Sequence, residues 1–230
     1  MRALSLVARF AAISLLAGFA SASLAADAGA VQQLTGNVTI TGADNVTRKA
    51  ALKEKIQSGD TITTEAKSET LIKLADDSTV VLRPNTRFQF TDFKYDKAPA
   101  DSSLVTLLRG TARMVSGLIA RRQPANVRVN AGTATIGIRG TDFEVAVVAE
   151  DTPDARAGVY DYVHSGLTNI EIASGQNLDV KKDQTAFAPD KPKPGEEPLQ
   201  LLREVPIFLQ QGGGLDALIQ SIIIQIPIFR

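Results

Sequence analysis

The sequence predicts an all-β fold in which many short strands form a sandwich or a solenoid-like roll, followed by a short apolar tail. Three observations carry this. Apolar residues recur with period two, not 3.6, from about Val31 to Phe187. Turn-forming clusters interrupt that alternation, often at a spacing of about ten residues. No strand–helix–strand rhythm is present along this stretch.

The strand signals run in order along the chain. Val38 and Ile40 alternate with Thr39 and Thr41, and Phe88 and Phe90 alternate with Arg87, Gln89 and Thr91. Val127 and Val129 alternate with Asn126, Arg128 and Asn130. Ala134, Ile136 and Ile138 share one face; Phe143, Val145 and Val147 share another, with Glu144 opposite. Ile170 and Ile172 flank Glu171, and Leu178 and Val180 flank Asp179. Such strands are half-buried, with one face packed and the other wetted. Gly42-Ala43-Asp44-Asn45, Ser58-Gly59-Asp60, Asp76-Asp77-Ser78, Arg83-Pro84-Asn85, Ala131-Gly132 and Ser174-Gly175 separate them. Gly, Asn and Asp tolerate left-handed backbone, and Pro presets a turn. Lys53 to Ile56 is compatible with half a turn of helix.

Composition excludes several function classes. The 230 residues carry 25 Lys+Arg and 25 Asp+Glu, so there is no general attraction to nucleic acid or to an anionic membrane surface. With no cysteine, disulfides, thiolate metal sites and cysteine nucleophiles are excluded. The one histidine, His164, leaves a single candidate for a serine–histidine triad and no histidine-rich metal site. Aromatics are 5% and Trp is absent, so stacking platforms for sugars or bases are scarce. No metal and no cofactor is expected.

Residues 1–25 read as a secretory signal. Arg2 and Arg9 precede or open an apolar run, Phe10 to Phe19, too short to span a hydrocarbon core of about 30 Å. Ser23-Leu24-Ala25 fits a small-x-small cleavage pattern, with cleavage expected after Ala25. The mature chain loses Arg2 and Arg9 and no acid, leaving 23 basic against 25 acidic residues and a formal charge of −2. The expected location is periplasmic or secreted, in a Gram-negative-type envelope, with no integral membrane span after cleavage.

The expected organisation is a β-domain over 26–187, a Pro-rich linker over 188–198 and an apolar tail over 199–230. Four prolines between Ala188 and Pro198 exclude a central strand or helix interior. The tail holds Ile222, Ile223, Ile224, Ile226, Ile228 and Phe229 around Gln225 and Pro227. Left bare, that segment invites association. It must fold back on the β-domain, or dock to a protein partner or a second copy, for example by strand addition.

Four elements, in order over Gly36 to Val148, resemble the FecR domain, a periplasmic module named for the iron-dicitrate regulator. They are Gly59-Asp60-Thr61-Ile62-Thr63-Thr64, the hairpin Leu71 to Pro84, Leu107-Leu108-Arg109-Gly110-Thr111-Ala112, and Arg139-Gly140-Thr141-Asp142-Phe143-Glu144-Val145. Asp77 stands where the hairpin pattern usually has Gly. The resemblance implies an extracytoplasmic sensing or protein-docking module without catalytic residues. Sigma-silencing regulators of this family carry a cytoplasmic segment and one membrane helix before the domain. Here a signal peptide is expected in that place, so direct sigma-factor control is not carried over.

Within the motif, Gly137 and Gly140 allow a bulge or a close backbone approach. Arg139 would then pair with a neighbouring carboxylate or carbonyl while Thr141 bonds locally, and Phe143 faces the core. The functional alternative makes Arg139 an anion clamp for a small carboxylate ligand. His164, beside Ser165-Gly166, is expected at the surface. Asp76-Asp77 and Asp151 with Asp154 lack calcium-loop spacing and read as solvated turns. The expected function is a non-enzymatic binding or signalling adaptor. The alternatives are a self-assembling structural envelope protein and a carboxylate-dependent hydrolase.

Overall fold

The computed structural model describes residues 27–219. The expected leader, and Ile222, Ile223, Ile224, Ile226, Ile228 and Phe229 of the tail, lie outside the described residues.

Eight short strands come first: β1 (Asp27–Thr35), β2 (Val38–Thr41), β3 (Thr47–Lys49), β4 (Lys55–Gln57), β5 (Thr61–Thr64), β6 (Glu69–Leu74), β7 (Thr79–Leu82) and β8 (Arg87–Lys94). Long strands follow. β9 (Ser102–Val115) leads through the short helix α1 (Leu118–Arg122) to β10 (Val127–Ala131), then come β11 (Ala134–Val148) and β12 (Gly158–Ile172). β13 (Asn177–Lys181), β14 (Thr185–Pro189), β15 (Gln200–Leu201) and a helical turn α2 (Ile207–Gln210) complete the described chain, with residues 216–219 helical at its end.

The turns use the predicted chemistry. Asn45, Asp77, Asn85 and Asp183 all have positive φ, which short polar side chains tolerate by bonding locally. Asp77, at φ 68°, takes the left-handed backbone that favours glycine. Lys53 is also left-handed, at φ 64°, so no helix forms there and β4 follows instead.

All fifteen strands among the described residues belong to one hydrogen-bonded sheet, bent so that its two halves enclose a common core. One half runs β4–β1–β6–β7–β9–β11–β12–β14–β15. The other runs β3–β2–β5–β8–β9–β10–β11–β12–β13. Among the described residues only β9 and β10 pair in parallel. β9, β11 and β12 belong to both halves, and each changes partner along its length, as corner strands of a sandwich do. β9 leaves β10 after Leu107 and meets β11 from Gly110; β11 leaves β10 after Gly137 and meets β9 from Asp142. β12 leaves β14 after Tyr162 and meets β13 from Leu167.

The core between the halves holds Ile40, Ile62, Val80, Leu82, Phe88, Phe90, Leu107, Ile136, Phe143, Val145 and Val163, all nearly solvent-free. At about 25 cal/mol per Å² of apolar surface, each such side chain contributes roughly 1.5–3 kcal/mol relative to exposure. β14 extends through Pro189, two residues into the expected linker, and Gln200–Leu201 pairs with it. Leu199 enters the common core, while Glu196 takes a bidentate ion pair from Arg156 that holds its carboxyl down at about 2. Among the described residues no helix is long and apolar enough to cross a membrane.

Candidate functional site

The motif Arg139-Gly140-Thr141 forms the corner of β11. Register with β12 breaks between Arg139 and Asp142 and again before Phe143, as expected of a bulge that bends a strand. Gly140 takes φ +64° and Gly166, facing it on β12, takes φ +86°. A methyl group on Gly166 would collide with Gly140 O and Thr141 Cα. The Thr141 N–H donates to Ser116 Oγ at 2.8 Å, and the Ser116 N–H donates back to Thr141 O at 2.9 Å. Thr141 is buried and Phe143 lies in the core. Gly137 is half-buried beside Asn169.

Arg139 departs from the expected pairing. It is exposed, and no hydrogen bond or ion pair holds it among the described residues. It lines a shallow groove of about 530 Å³ with Arg128, Thr135, Asn169 and Glu171.

The paired arginines are two others, on the opposite side of the corner. Strand alternation and register place Val81 of β7 and Arg83 just after it, Arg113 and Val115 of β9, Asp142, Glu144 and Ala146 of β11, Tyr160, Tyr162 and His164 of β12, and Phe187 of β14 on one face. Alternation alone reads that face as wetted. It is covered instead. Residues 202–219 return across it as a strap. Leu209 buries against Ala146, Tyr160 and Phe187, and Leu215 and Ile219 bury against Leu71, Val81 and Val115.

Between these two apolar patches lies a dry charge lattice. Arg83 donates Nε to Glu144 Oε1 at 2.5 Å and Nη2 to Oε2 at 2.9 Å. Arg113 donates Nε to Asp142 Oδ1 at 2.9 Å and Nη2 to Oδ2 at 2.7 Å. These forked pairs have the strongest geometry available to a guanidinium and a carboxylate. All four side chains are at least nine-tenths buried. The strap adds a fifth charge: Asp216 Oδ2 lies 3.0 Å from Arg83 Nη2, and Oδ1 lies 3.6 Å from Arg113 Nη1. Arg83 Nη1 also donates to Gln211 O at 3.3 Å. Burial works against the charge on both arginines, but the facing carboxylates outweigh it and raise both pKa values. Burial likewise opposes ionisation of Glu144; His164 and Arg83 outweigh it and hold its carboxyl below the usual range.

His164 is not at a surface turn. It sits in β12 with Nε2 3.5 Å from Glu144 Oε2 and its ring edge-on to Tyr162. Asp76 is likewise not a solvated turn residue. It is buried, caps Ser78 through N–H and hydroxyl, and accepts from the Ile119 N–H at the start of α1. Asp60, of the first motif element, is buried and accepts from the Gln57 N–H and from Arg48 Nη2, both at 3.1 Å. Among the described residues no group of three His, Asp or Glu side chains is placed to hold a metal ion.

The lattice left a trace in the sequence. Asp142 and Glu144 stand two apart on the strand face opposite Phe143 and Val145. Two carboxylates in such a row, with Arg83 directly after one apolar strand and Arg113 inside another, are the signal for buried pairing.

Residues 60–161 match the family model described as FecR protein. The match begins inside the four-element stretch and ends at the buried Asp161 of β12. Two crystal structures of a putative anti-sigma factor from Parabacteroides distasonis ATCC 8503 share the fold, each with a TM-score of 0.50 at 16% identity over 65% of this chain. The alignment spans 62% of each of those chains. No curated protein matches the chain.

Proposed function

Residues 60–161 form a FecR domain, and on that premise we propose that the chain is an extracytoplasmic signalling adaptor that works by docking a protein partner rather than by catalysis. The family match supports a signalling or regulatory role. Beyond it, the reading rests on one observation: a rigid β-scaffold carries a charged and apolar acceptor face on which a separate segment, the strap, is laid without joining the sheet. Over residues 203–219 the strap meets the body through side-chain packing, Asp216, Arg83 and Glu69, and not through strand pairing. Such a face suits recognition of another chain.

The leader places the adaptor outside the cytoplasm in this reading. Mass spectrometry of the exported protein should find Ala26 at its N-terminus. A chain that starts at Met1 and stays with the cytoplasmic fraction would contradict it.

In-cell crosslinking of the tagged full-length chain, read by mass spectrometry, tests the docking. A specific foreign protein in the crosslinked species supports the adaptor. Crosslinks confined to copies of this chain would overturn it and favour the self-assembling alternative.

A further inference from the structure

We infer that the Arg83–Arg113 floor, with the apolar patches beside it, is a peptide-docking site whose resident occupant is the chain's own strap, displaceable by a partner segment that presents a carboxylate between aliphatic residues. This names the docking surface of the adaptor reading and rests on that reading.

Charge balance is the first ground. Glu144 and Asp142 already neutralise Arg83 and Arg113 through forked pairs. Asp216 is an added charge, so its departure leaves two cations facing two anions. The floor therefore persists, formed and balanced, with the strap absent. Had either arginine been neutralised by Asp216 alone, release would strand a buried charge.

The fit of the occupant is the second ground. Asp216 Oδ2 is satisfied by Arg83 and by the Gly213 N–H at 2.6 Å. Asp216 Oδ1 is buried and meets Arg113 Nη1 only at ion-pair distance, 3.6 Å, without a hydrogen bond, so this oxygen is less well held than buried polar atoms usually are. A segment that satisfies both oxygens binds the same floor better than the strap does.

The third ground is the tether. Gly212-Gly213-Gly214 precedes the docked residues, and the Leu215 N–H is held by a side chain, Glu69 Oε2, at 3.1 Å. The strap can lift without breaking a ladder of strand hydrogen bonds. The chemistry of the competitor is read from the strap itself: an Asp or Glu, an aliphatic residue immediately before it, and another three residues on, as in Leu215, Asp216 and Ile219.

The probe is a fluorescein-labelled peptide of residues 211–219, with a second peptide carrying Asn in place of Asp. Both are titrated against three full-length chains: wild type, Asp216→Ala and Leu215→Ala. The two variants weaken the strap by different means and leave the arginines in place. Binding of the Asp peptide should tighten about tenfold in both variants relative to wild type, and the Asn peptide should bind about tenfold more weakly than the Asp peptide. Equal affinity for all three chains, no binding, or indifference to the carboxylate would overturn the site while leaving the adaptor open to docking elsewhere. Concentration-dependent dimers of either variant in sedimentation would overturn the assignment to a foreign partner, because a second copy's strap would then be the occupant.

Discussion

Arg83 and Glu144 lie 61 residues apart in sequence and join two strands that are not neighbours. β9 runs between β7 and β11, and the guanidinium reaches across it to form both of its hydrogen bonds with the carboxylate. The pair thus ties three strands side by side. Arg83→Met should cost about 3–5 kcal/mol, because Glu144 is left buried without its forked partner, with His164 alone at 3.5 Å. The double variant Arg83→Met/Glu144→Leu should recover much of that loss. Denaturant unfolding of the singles and the double measures the coupling. A double variant no better than Arg83→Met alone would contradict the pairing account.

Asp161 lies on the other face of β12, inside the core, with one oxygen bonded to Thr168 Oγ1 at 2.6 Å and the other unpartnered. Burial pushes its carboxyl up to about 7. The folded state therefore holds a proton that the unfolded chain releases near its ordinary value. The stabilisation is complete below about pH 4 and is lost as pH rises through about 7. Asp161→Asn should remove this slope and be the more stable protein at about pH 8, by on the order of 3 kcal/mol. Unfolding free energies of both proteins across that window decide it; parallel curves would sink the prediction.

The corner at Gly140 and Gly166 separates two kinds of glycine. Gly140 faces open space, so Gly140→Ala meets only its left-handed backbone and should cost about 1 kcal/mol. Gly166→Ala adds a collision with the backbone of Gly140 and Thr141, and should cost at least twice as much. Thermal melts of the two variants should differ by several degrees, in that order.

Arg139 and Phe143 belong to one motif and do different work. Phe143→Ala should cost about 3–5 kcal/mol through the cavity it leaves. Arg139→Ala should stay within about 0.5 kcal/mol of wild type, since the side chain is exposed and unpaired. A large loss at Arg139 would mean that it has a structural partner.

Much of this fold is legible in the sequence, because the period-two pattern and the turn chemistry are local. The Val127–Val129 and Ala134–Ile138 rows form β10 and β11 as the alternation predicts. What alternation cannot report is the fate of the second face. It assigns Asp142 and Glu144 to water. Burial of that face depends on a strap some seventy residues further on, which is a long-range contact with no periodicity of its own. For the same reason His164 reads as a turn neighbour although it sits against Glu144. The motif around Arg139 marks the corner through its glycines, while Arg83 and Arg113 stand out as charges beside apolar strands without showing which carboxylate each one meets.

Competition between the strap and a partner for the Arg83–Arg113 floor has a direct readout in the cell. Quantitative in-cell crosslinking of the full-length chain, wild type beside Asp216→Ala at equal expression, tests it most directly. The same foreign adduct should form in both, several-fold more abundant in Asp216→Ala because its competitor is weakened. An adduct that is unchanged or reduced in Asp216→Ala would contradict it.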